Sequence, residues 1–250
     1  MKTALQLYTL RNTILKNTAE QLRELKFAGY DGIELLDLGE NSMATLTDEM
    51  ERIGLAVFSI HIGVEDMLRM DEGQLAQYAA MGCRMLTISY LPPERIAGGA
   101  LYGETLALIS AYAALAAKHG IRILYHNHEF DLDMHDGKRK LDILYADIAP
   151  EVLHAELDTC WLYTGGADPL AYLEKYAGRC PVLHLKDCVA EGGRKGLRAL
   201  GEGVIDFHPI LSRASACGVE WLCVEQDEPS PGKTPMECAL ESIRFLERNL

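Results

Sequence analysis

The segment Gly178-Arg-Cys-Pro-Val-Leu-His-Leu-Lys-Asp187 contains the pattern that decides the fold of this chain. Gly178 stands where a helix would end, because glycine readily takes the left-handed backbone conformation that closes helices. In the run that follows, leucines alternate with His184 and Lys186. A period of two predicts a strand with one apolar and one polar face. The segment therefore predicts the end of a helix followed by a two-faced strand.

The same unit recurs along the chain. Eight short β-rich runs of similar spacing begin near Thr3, Gly32, Ala56, Met85, Ile121, Val152, Pro181 and Trp221. Stretches with helical apolar spacing separate them, and a glycine precedes six of the last seven runs, at Gly29, Gly54, Gly82, Gly120, Gly178 and Gly218. The sixth run instead follows Ala149-Pro150, and proline also stops a helix. Strand followed by helix, eight times, predicts parallel strands.

These units predict an α/β fold, a (β/α)8 TIM barrel that forms a single domain over residues 1–250. A length of 250 residues with 48% hydrophobic content suits one such barrel. A doubly wound open sheet is the alternative, but it usually has a glycine-rich loop after its first strand. Here the first strand continues into Tyr8-Thr-Leu-Arg11. The barrel is therefore the preferred prediction.

The composition limits the classes of partner. With 24 Lys and Arg against 37 Asp and Glu, the net charge of −13 would repel nucleic acid. The sequence shows neither an apolar run long enough for a membrane span nor a signal segment, so the cytoplasm is expected. Seven cysteines without a Cys-x-x-Cys pair suit a reducing compartment. A homo-oligomer is compatible with the sequence.

Alternate residues of a barrel strand face the helices and the lumen. The helix-facing set is apolar: Leu5, Leu7, Ile33, Leu35, Phe58, Ile60, Leu86, Ile88, Leu157, Leu183, Leu185, Leu222 and Val224. The lumen-facing set is polar towards the C-terminal ends of the strands: Gln6, Tyr8, Glu34, Ser59, His61, Thr87, Ser89, His126, His128, Glu156, Asp158, His184, Lys186, Cys223 and Glu225. So many buried ionisable groups must pair with one another or bind a cation.

Four of these polar residues suit a divalent metal. His126, Asp158, His184 and Glu225 supply two imidazoles and two carboxylates, which favour Mn²⁺ first, with Mg²⁺, Co²⁺ or Zn²⁺ as alternatives. An octahedral ion with four protein ligands would keep two positions for a hydroxy-carbonyl substrate, whose carbonyl it would polarise. The sequence therefore predicts a metal site at the mouth of the barrel, with room for a small hydroxy-carbonyl substrate.

Five motifs resemble one family of barrels. They are Tyr125-His-Asn-His-Glu-Phe130, Glu156-Leu-Asp-Thr-Cys-Trp161, His184-Leu-Lys-Asp187, Leu200-Gly-Glu-Gly-Val-Ile-Asp206 and Val224-Glu-Gln-Asp-Glu228. In these motifs and their order, the chain resembles the xylose-isomerase-like barrels known as sugar phosphate isomerases/epimerases. The resemblance implies a metal held by Glu, Asp, His and Glu from strands five to eight, with the two glutamates also moving the proton.

The chain does not match the family's ligand set at strand five. Asp158, His184 and Glu225 match the last three ligands, while His126 stands in place of the first glutamate. His128 or Glu129 takes that place if the register is shifted. Trp161 stands where sugar 3-epimerases of the family have a histidine, and it could stack on a sugar face or simply pack in the core.

The resemblance also implies abstraction of a proton next to a carbonyl. His128 or Glu129 is the first choice for the base, Glu34 the second, and Glu225 is kept as a catalytic residue. Lys186 could steady the developing oxyanion, or instead pair with Glu156, Asp158 or Asp187. His61 is expected to donate to a hydroxyl of the small carbohydrate substrate, and Gln6 and Glu34 are expected to contact the substrate. The glycine-rich basic loop at 191–198 could clamp an anion, or be solvated.

The leading functional hypothesis is a metal-dependent isomerase or epimerase of a keto-sugar, sugar phosphate or 3-keto-glycoside. The closest alternative is a lyase or dehydratase acting on a keto-sugar or keto-inositol. An apurinic-endonuclease-like repair enzyme would need more histidines and a basic surface. A catalytically inactive sugar-binding subunit is the remaining alternative.

Overall fold

A computed structural model describes residues 1–36, 40–190 and 196–250 of the chain. Most of the predicted anion-binding loop, residues 191–195, lies outside the described residues. Within them, eight parallel strands form a closed barrel in the order β1-β12-β9-β8-β5-β4-β3-β2. These strands are β1 (Lys2–Gln6), β2 (Gly32–Leu36), β3 (Ala56–Ile62), β4 (Met85–Ile88), β5 (Arg122–His126), β8 (His154–Asp158), β9 (Val182–Leu185) and β12 (Trp221–Val224). The prediction of a (β/α)8 barrel is confirmed.

Helices surround the barrel, and two short hairpins lie outside the barrel sheet. The helices are α1 (Thr18–Phe27), α2 (Glu40–Ile53), α3 (Val64–Arg69), α4 (Glu72–Ala80), α5 (Tyr102–Ala117), α6 (Lys140–Asp147), α7 (Thr159–Thr164), α8 (Pro169–Lys175), α9 (Phe207–Ala214) and α10 (Pro235–Asn249). The antiparallel hairpins pair β6 (Met134–His135) with β7 (Lys138–Arg139), and β10 (Asp187–Cys188) with β11 (Leu197–Arg198). Short 3-10 helices follow β1 at Leu7–Leu10 and β5 at Glu129–Leu132.

Local sequence signals mark the ends of these elements. Gly178 and Gly218 have φ angles of 80° and 88°, as the helix-closing role requires. At the start of α10, the backbone N–H of Glu237 donates to Thr234 Oγ1 at 3.2 Å, and the N–H of Thr234 donates to Glu237 Oε2 at 2.8 Å. This reciprocal capping box satisfies amides that the first turn leaves unpaired. The strand and helix limits are thus set locally.

The lumen is layered along the strands. At its lower end lies an apolar cluster: Ala4, Phe58, Met85, Leu124, Val182, Trp221 and Cys223. The rings of Phe58 and Trp221 stack with centroids 4.2 Å apart. Because polar lumen residues follow these positions along the strands, the apolar floor places the ionisable groups towards the C-terminal mouth.

The prediction that Phe58 faces the helices is wrong. Along β2 and β3, Ile33 pairs with Val57 but Glu34 pairs with Ser59, so Phe58 is an extra residue in the ladder. A bulge of this kind shifts the alternation of side chains by one. Phe58 therefore enters the lumen, where it stacks on Trp221.

None of the helices in the described parts of the chain combines the length and the apolar character that a membrane crossing requires. All seven cysteines are buried and unpaired.

We predict that Phe58→Ala lowers the free energy of unfolding by about 3–5 kcal/mol, because it leaves a cavity beneath Trp221. Urea denaturation followed by Trp fluorescence measures this. Phe27→Ala is the matched control, since Phe27 is 94% exposed and its removal should change stability by less than about 0.5 kcal/mol. Equal losses in the two variants would show that the floor of the barrel does not contribute specifically.

Candidate metal centre

Four side chains from the last four barrel strands meet at the C-terminal mouth. His126 ends β5, Asp158 ends β8, His184 lies in β9, and Glu225 follows β12. One ligand atom from each lies within 4.8 Å of the others. Strand register explains the meeting, because Asp158 and His184 are direct partners across β8 and β9. The structure thus brings together the four predicted ligands, and their binding of a metal stays a prediction.

Asp158 has one oxygen engaged and one without a hydrogen bond. Its Oδ1 accepts the backbone N–H of Trp161 at 2.8 Å and so caps α7. Its buried Oδ2 accepts no hydrogen bond, and Lys186 Nζ lies 3.4 Å away. A buried carboxylate oxygen without a hydrogen bond is costly. A divalent cation would satisfy this oxygen, so the residues present fit such an ion.

His184 is held by both ring nitrogens. Nδ1 lies 3.2 Å from Glu225 Oε2, on the side of the predicted ligands. Nε2 lies 2.6 Å from Glu34 Oε2 and 3.0 Å from Glu156 Oε1. Carboxylates behind a metal-binding imidazole orient the ring and fix its tautomer. Glu34, predicted as an alternative base, therefore occupies a supporting position behind His184 and is fully buried.

Glu156 is the centre of a second, overlapping cluster. Its Oε1 lies 2.7 Å from His61 Nε2 and 3.2 Å from His126 Nδ1, and its Oε2 accepts from Thr87 Oγ1 at 2.8 Å. His61, His126, Glu156 and His184 also offer four ligand atoms within 4.8 Å of one another. From the sequence, Glu156 is expected to face the lumen and is a candidate partner of Lys186, but its contacts with the histidines are not predicted. Its lumen-facing parity, two residues before Asp158, was the available signal.

Buried carboxylates raise the pKa values of two neighbouring histidines. Burial lowers the pKa of His61, but Glu34 and Glu156 raise it to about 10. Burial also lowers the pKa of His184, but Glu156 and Glu34 raise this pKa well above its ordinary value. The two carboxylates therefore favour the protonated, positively charged form of both imidazoles.

Lys186 is buried among three carboxylates. Its Nζ lies 2.8 Å from Glu225 Oε2, 2.7 Å from Asp227 Oδ1 and 3.4 Å from Asp158 Oδ2. Burial lowers the pKa of Lys186, but these carboxylates raise it well above its ordinary value. Of the three predicted pairing partners, Asp158 is near, whereas Glu156 contacts histidines instead. Asp227 was missed, although it shares the parity of Glu225.

Asp187, the third predicted partner of Lys186, has a different role. Its carboxylate accepts backbone N–H groups from Cys188, Gly201 and Gly203 at 2.9, 3.0 and 2.9 Å. A Cβ at Gly203 would lie 2.1 Å from Asp187 Oδ1, so only glycine allows this approach. Asp187 therefore fixes the backbone that leads from β11 towards α9.

A pocket of about 530 Å³ opens above the cluster. The predicted site residues that line it are Gln6, His61, His126, His128, Lys186 and Glu225. Its other lining residues are Tyr8, Leu36, Gly63, Asp66, Ser89, Tyr90 and Asp227. Glu34, Asp158, His184 and Trp161 lie beneath the surface, each at most 1% exposed. Glu129 is not among the described lining residues, so His128 is the predicted base with the more direct access.

Trp161 packs beneath the site. Lys186 Nζ lies 4.7 Å from the centre of its ring, and the His128 ring stacks on it with centroids 5.8 Å apart. These contacts fix both groups by cation–π and aromatic packing. The structure places Trp161 in a supporting position, and its stacking on a sugar stays a prediction.

We predict that His126→Ala and Glu225→Ala each weaken divalent-metal binding at least about 100-fold, because each removes a ligand. Equilibrium dialysis with elemental analysis measures the binding. His128→Ala should retain the metal. His208→Ala is the matched control, because His208 is exposed. Full metal content in His126→Ala, combined with loss in His128→Ala or Glu129→Ala, would show that strand five uses a shifted ligand.

We predict that metal affinity rises about tenfold per pH unit between about pH 6 and 8. The neighbouring carboxylates raise the pKa of His184 and so favour its protonated ring, and a cation that binds at Nδ1 must displace the proton there. Calorimetry in buffers of different ionisation enthalpy counts the released protons. Glu34→Gln removes a carboxylate that raises the pKa of His184 and should flatten the slope. Affinity independent of pH in the unmodified protein would contradict the proton displacement.

The chain is similar to known proteins over different lengths. A family model described as "Xylose isomerase-like TIM barrel" matches residues 22–249. An inosose dehydratase of Geobacillus thermodenitrificans is 31% identical over 151 residues, which are 53% of this chain and 49% of the relative. The matched region is thus about half the length of that curated relative.

Two solved structures share the fold. A sugar phosphate isomerase/epimerase from Parabacteroides distasonis has a TM-score of 0.85 at 22% identity, covering 99% of this chain and 98% of the other. The IolI protein with a bound zinc atom has a TM-score of 0.75 at 15% identity, covering 100% of this chain and 99% of the other. Together with the match of the family model over nearly the whole barrel, these observations lead to one conclusion: the chain belongs to the xylose isomerase-like TIM barrel family.

Proposed function

We propose that this protein is a divalent-metal-dependent enzyme that removes the proton next to the carbonyl of a keto-sugar or keto-polyol. The observation that carries the proposal is the convergence of His126, Asp158, His184 and Glu225 beneath an open pocket. Two imidazoles with two carboxylates suit Mn²⁺, Co²⁺ or Zn²⁺. The relative named inosose dehydratase and the zinc-containing IolI structure support both the substrate class and the metal.

The chain's own groups have separate tasks in this chemistry. A divalent cation, when bound, would draw electron density from the ketone oxygen and make the adjacent C–H bond more acidic. His128 lines the pocket beside His126, with ring centroids 5.0 Å apart, and accepts the proton. Lys186 stays protonated between Glu225 and Asp227, and its positive charge favours the oxyanion as it forms.

Elimination of water is the outcome that we favour. The C–H bond next to the carbonyl breaks, the β-hydroxyl leaves with a proton, and a carbon–carbon double bond forms. By the resemblance of the motifs, His126 takes the strand-five position of the family's first glutamate, so the site lacks a symmetric pair of glutamate bases. His61 lines the pocket and is protonated, so it can donate to the leaving hydroxyl. The curated relatives named inosose dehydratase support this outcome.

Isomerisation or epimerisation is the second candidate. It uses the same first step, after which the proton returns to the other face of the carbon or to its neighbour. His61 and His128 line the pocket from β3 and from the segment after β5, so two imidazoles are available for removal and return. The structural neighbour named sugar phosphate isomerase/epimerase supports this candidate.

We predict that the metal-loaded protein, incubated in D2O, reacts with at least one member of a panel of ketones. It either eliminates water from the ketone or exchanges deuterium into it. The panel contains keto-inositol, ketohexoses, their phosphates and 3-keto-glucosides. Mass spectrometry separates the outcomes, because elimination removes the mass of water while isomerisation adds deuterium without that loss. His128→Ala should slow the reaction about 10²- to 10⁴-fold. His208→Ala should react at the unmodified rate.

Glu129→Gln tests the alternative base in the same assay. If Glu129→Gln loses activity while His128→Ala remains fully active, Glu129 is the base. Tight metal binding without reaction of any ketone would contradict the proposal and favour a sugar-binding protein.

A further inference from the structure

Apart from His61 of β3, the side chains in the second half of the pocket have no role in the proposed chemistry. The metal ligands and Lys186 come from β5, β8, β9 and β12, whereas the other side is formed by the ends of β1 to β4. We call this side the tyrosine half, and it consists of Tyr8, Leu36, Gly63, Asp66, Ser89 and Tyr90. It lies in the same pocket as the predicted ligands His126 and Glu225, so one molecule can reach both halves.

Tyr8 is held in place at one end of the tyrosine half. The guanidinium carbon of Arg11 lies 4.1 Å from the centre of its ring. Arg11 is itself fixed by the backbone oxygen of Asp227 at 2.6 Å and by Glu228 Oε1 at 2.9 Å. The Tyr8 side chain is nevertheless 37% exposed. Because the Tyr8 ring is already fixed, its contact with a ligand would cost little side-chain conformational entropy.

Tyr90 is held at the opposite end. Its ring centroid lies 5.6 Å from that of Phe130 at 83°, and 6.2 Å from that of His128 at 89°. Tyr90 is 43% exposed. It therefore joins the candidate base, His128, to the tyrosine half, and a group resting on Tyr90 would lie beside the reacting end of the substrate.

Among the described lining residues, the tyrosine half contributes no Lys or Arg that could bind an anionic group. Among the described lining residues, Lys186 is the single Lys or Arg, and Asp158, Glu225 and Asp227 surround it. The tyrosine half itself contributes the carboxylate of Asp66. Phosphate recognition needs cationic or amide donors directed at the ligand. An uncharged group with an apolar face matches Tyr8, Leu36 and Tyr90 better.

The space suits a molecule larger than one ring. The pocket of about 530 Å³ falls in the range of roughly 300–1,000 Å³ that holds ligands of drug size. We propose that the substrate carries a second, uncharged ring, attached to the keto ring, which binds between Tyr8 and Tyr90. This inference rests on the proposed function for the keto ring. The second ring is an aromatic group or a sugar, since both present an apolar face to tyrosine.

The test compares substrates that share one keto ring. KM is measured for methyl, phenyl and glucosyl 3-keto-glucosides with the metal-loaded protein. We expect KM for the phenyl or the glucosyl compound to be about tenfold lower than for the methyl compound, and the lower value identifies the ring. Tyr8→Ala and Tyr90→Ala should each reduce this advantage severalfold, whereas Tyr8→Phe and Tyr90→Phe should keep it.

Tyr163→Ala is the matched control. Tyr163 is also 37% exposed but lines a different groove, near Pro169 and Val204, so its removal should leave the advantage intact. Equal KM values for the three compounds would overturn the inference. So would concentration-dependent dimerisation that Tyr8→Ala abolishes, because the tyrosines would then cover an interface between two copies.

A binding experiment separates this inference from the proposed reaction. Methyl, phenyl and glucosyl glucosides without a ketone are titrated into the metal-loaded protein by calorimetry. If no ketone reacts but the phenyl or glucosyl compound binds more tightly through Tyr8 and Tyr90, the proposed reaction fails and the second-ring site stands. If ketones react but all three glucosides bind equally, the reaction stands and the second-ring site is overturned.

Discussion

The structure depends on how the lumen neutralises carboxylates that are fully removed from water. Glu34 and Glu156 lie side by side under the mouth, and each is completely buried. Isolated ionised carboxylates in such a place would cost several kcal/mol each. The rings of His61 and His184 lie between them, within 3.2 Å of their oxygens. These imidazoles therefore allow the carboxylates to remain in the barrel.

This arrangement also prepares the layer above it. Glu34 and Glu156 hold Nε2 of His184, which leaves Nδ1 directed towards Glu225. Asp158 is positioned separately, because one oxygen caps α7 and the other remains without a hydrogen bond. A cation at this level would find ligands already oriented by groups beneath them. Such support behind the ligands commonly controls both affinity and tautomer.

The pocket combines two different environments. One side contains ionisable groups, with Lys186 held against Glu225 and Asp227. The other side presents the partly exposed rings of Tyr8 and Tyr90. The barrel order explains the division, because β1 to β4 and the remaining four strands form opposite arcs. A reacting ketone and a recognition group can therefore occupy the same pocket without competing for the same residues.

Local patterns in the sequence determined the barrel and the list of lumen-facing polar residues. Strand alternation and helix-closing glycines such as Gly178 are short-range signals, so they can be read without the fold. Strand-end positions also identified His126, Asp158, His184 and Glu225 as neighbours, because parallel strands of a closed barrel end at one face. Only the tertiary structure decided which atoms meet.

The tertiary structure decided three features of the molecule. They are the bulge at Phe58, the contacts of three histidines with Glu156, and the ion pair of Lys186 with Asp227 rather than with Asp187. They depend on register between distant strands and on side-chain distances of a few ångströms. A one-residue shift changes the face of a side chain, and no local pattern records such a shift.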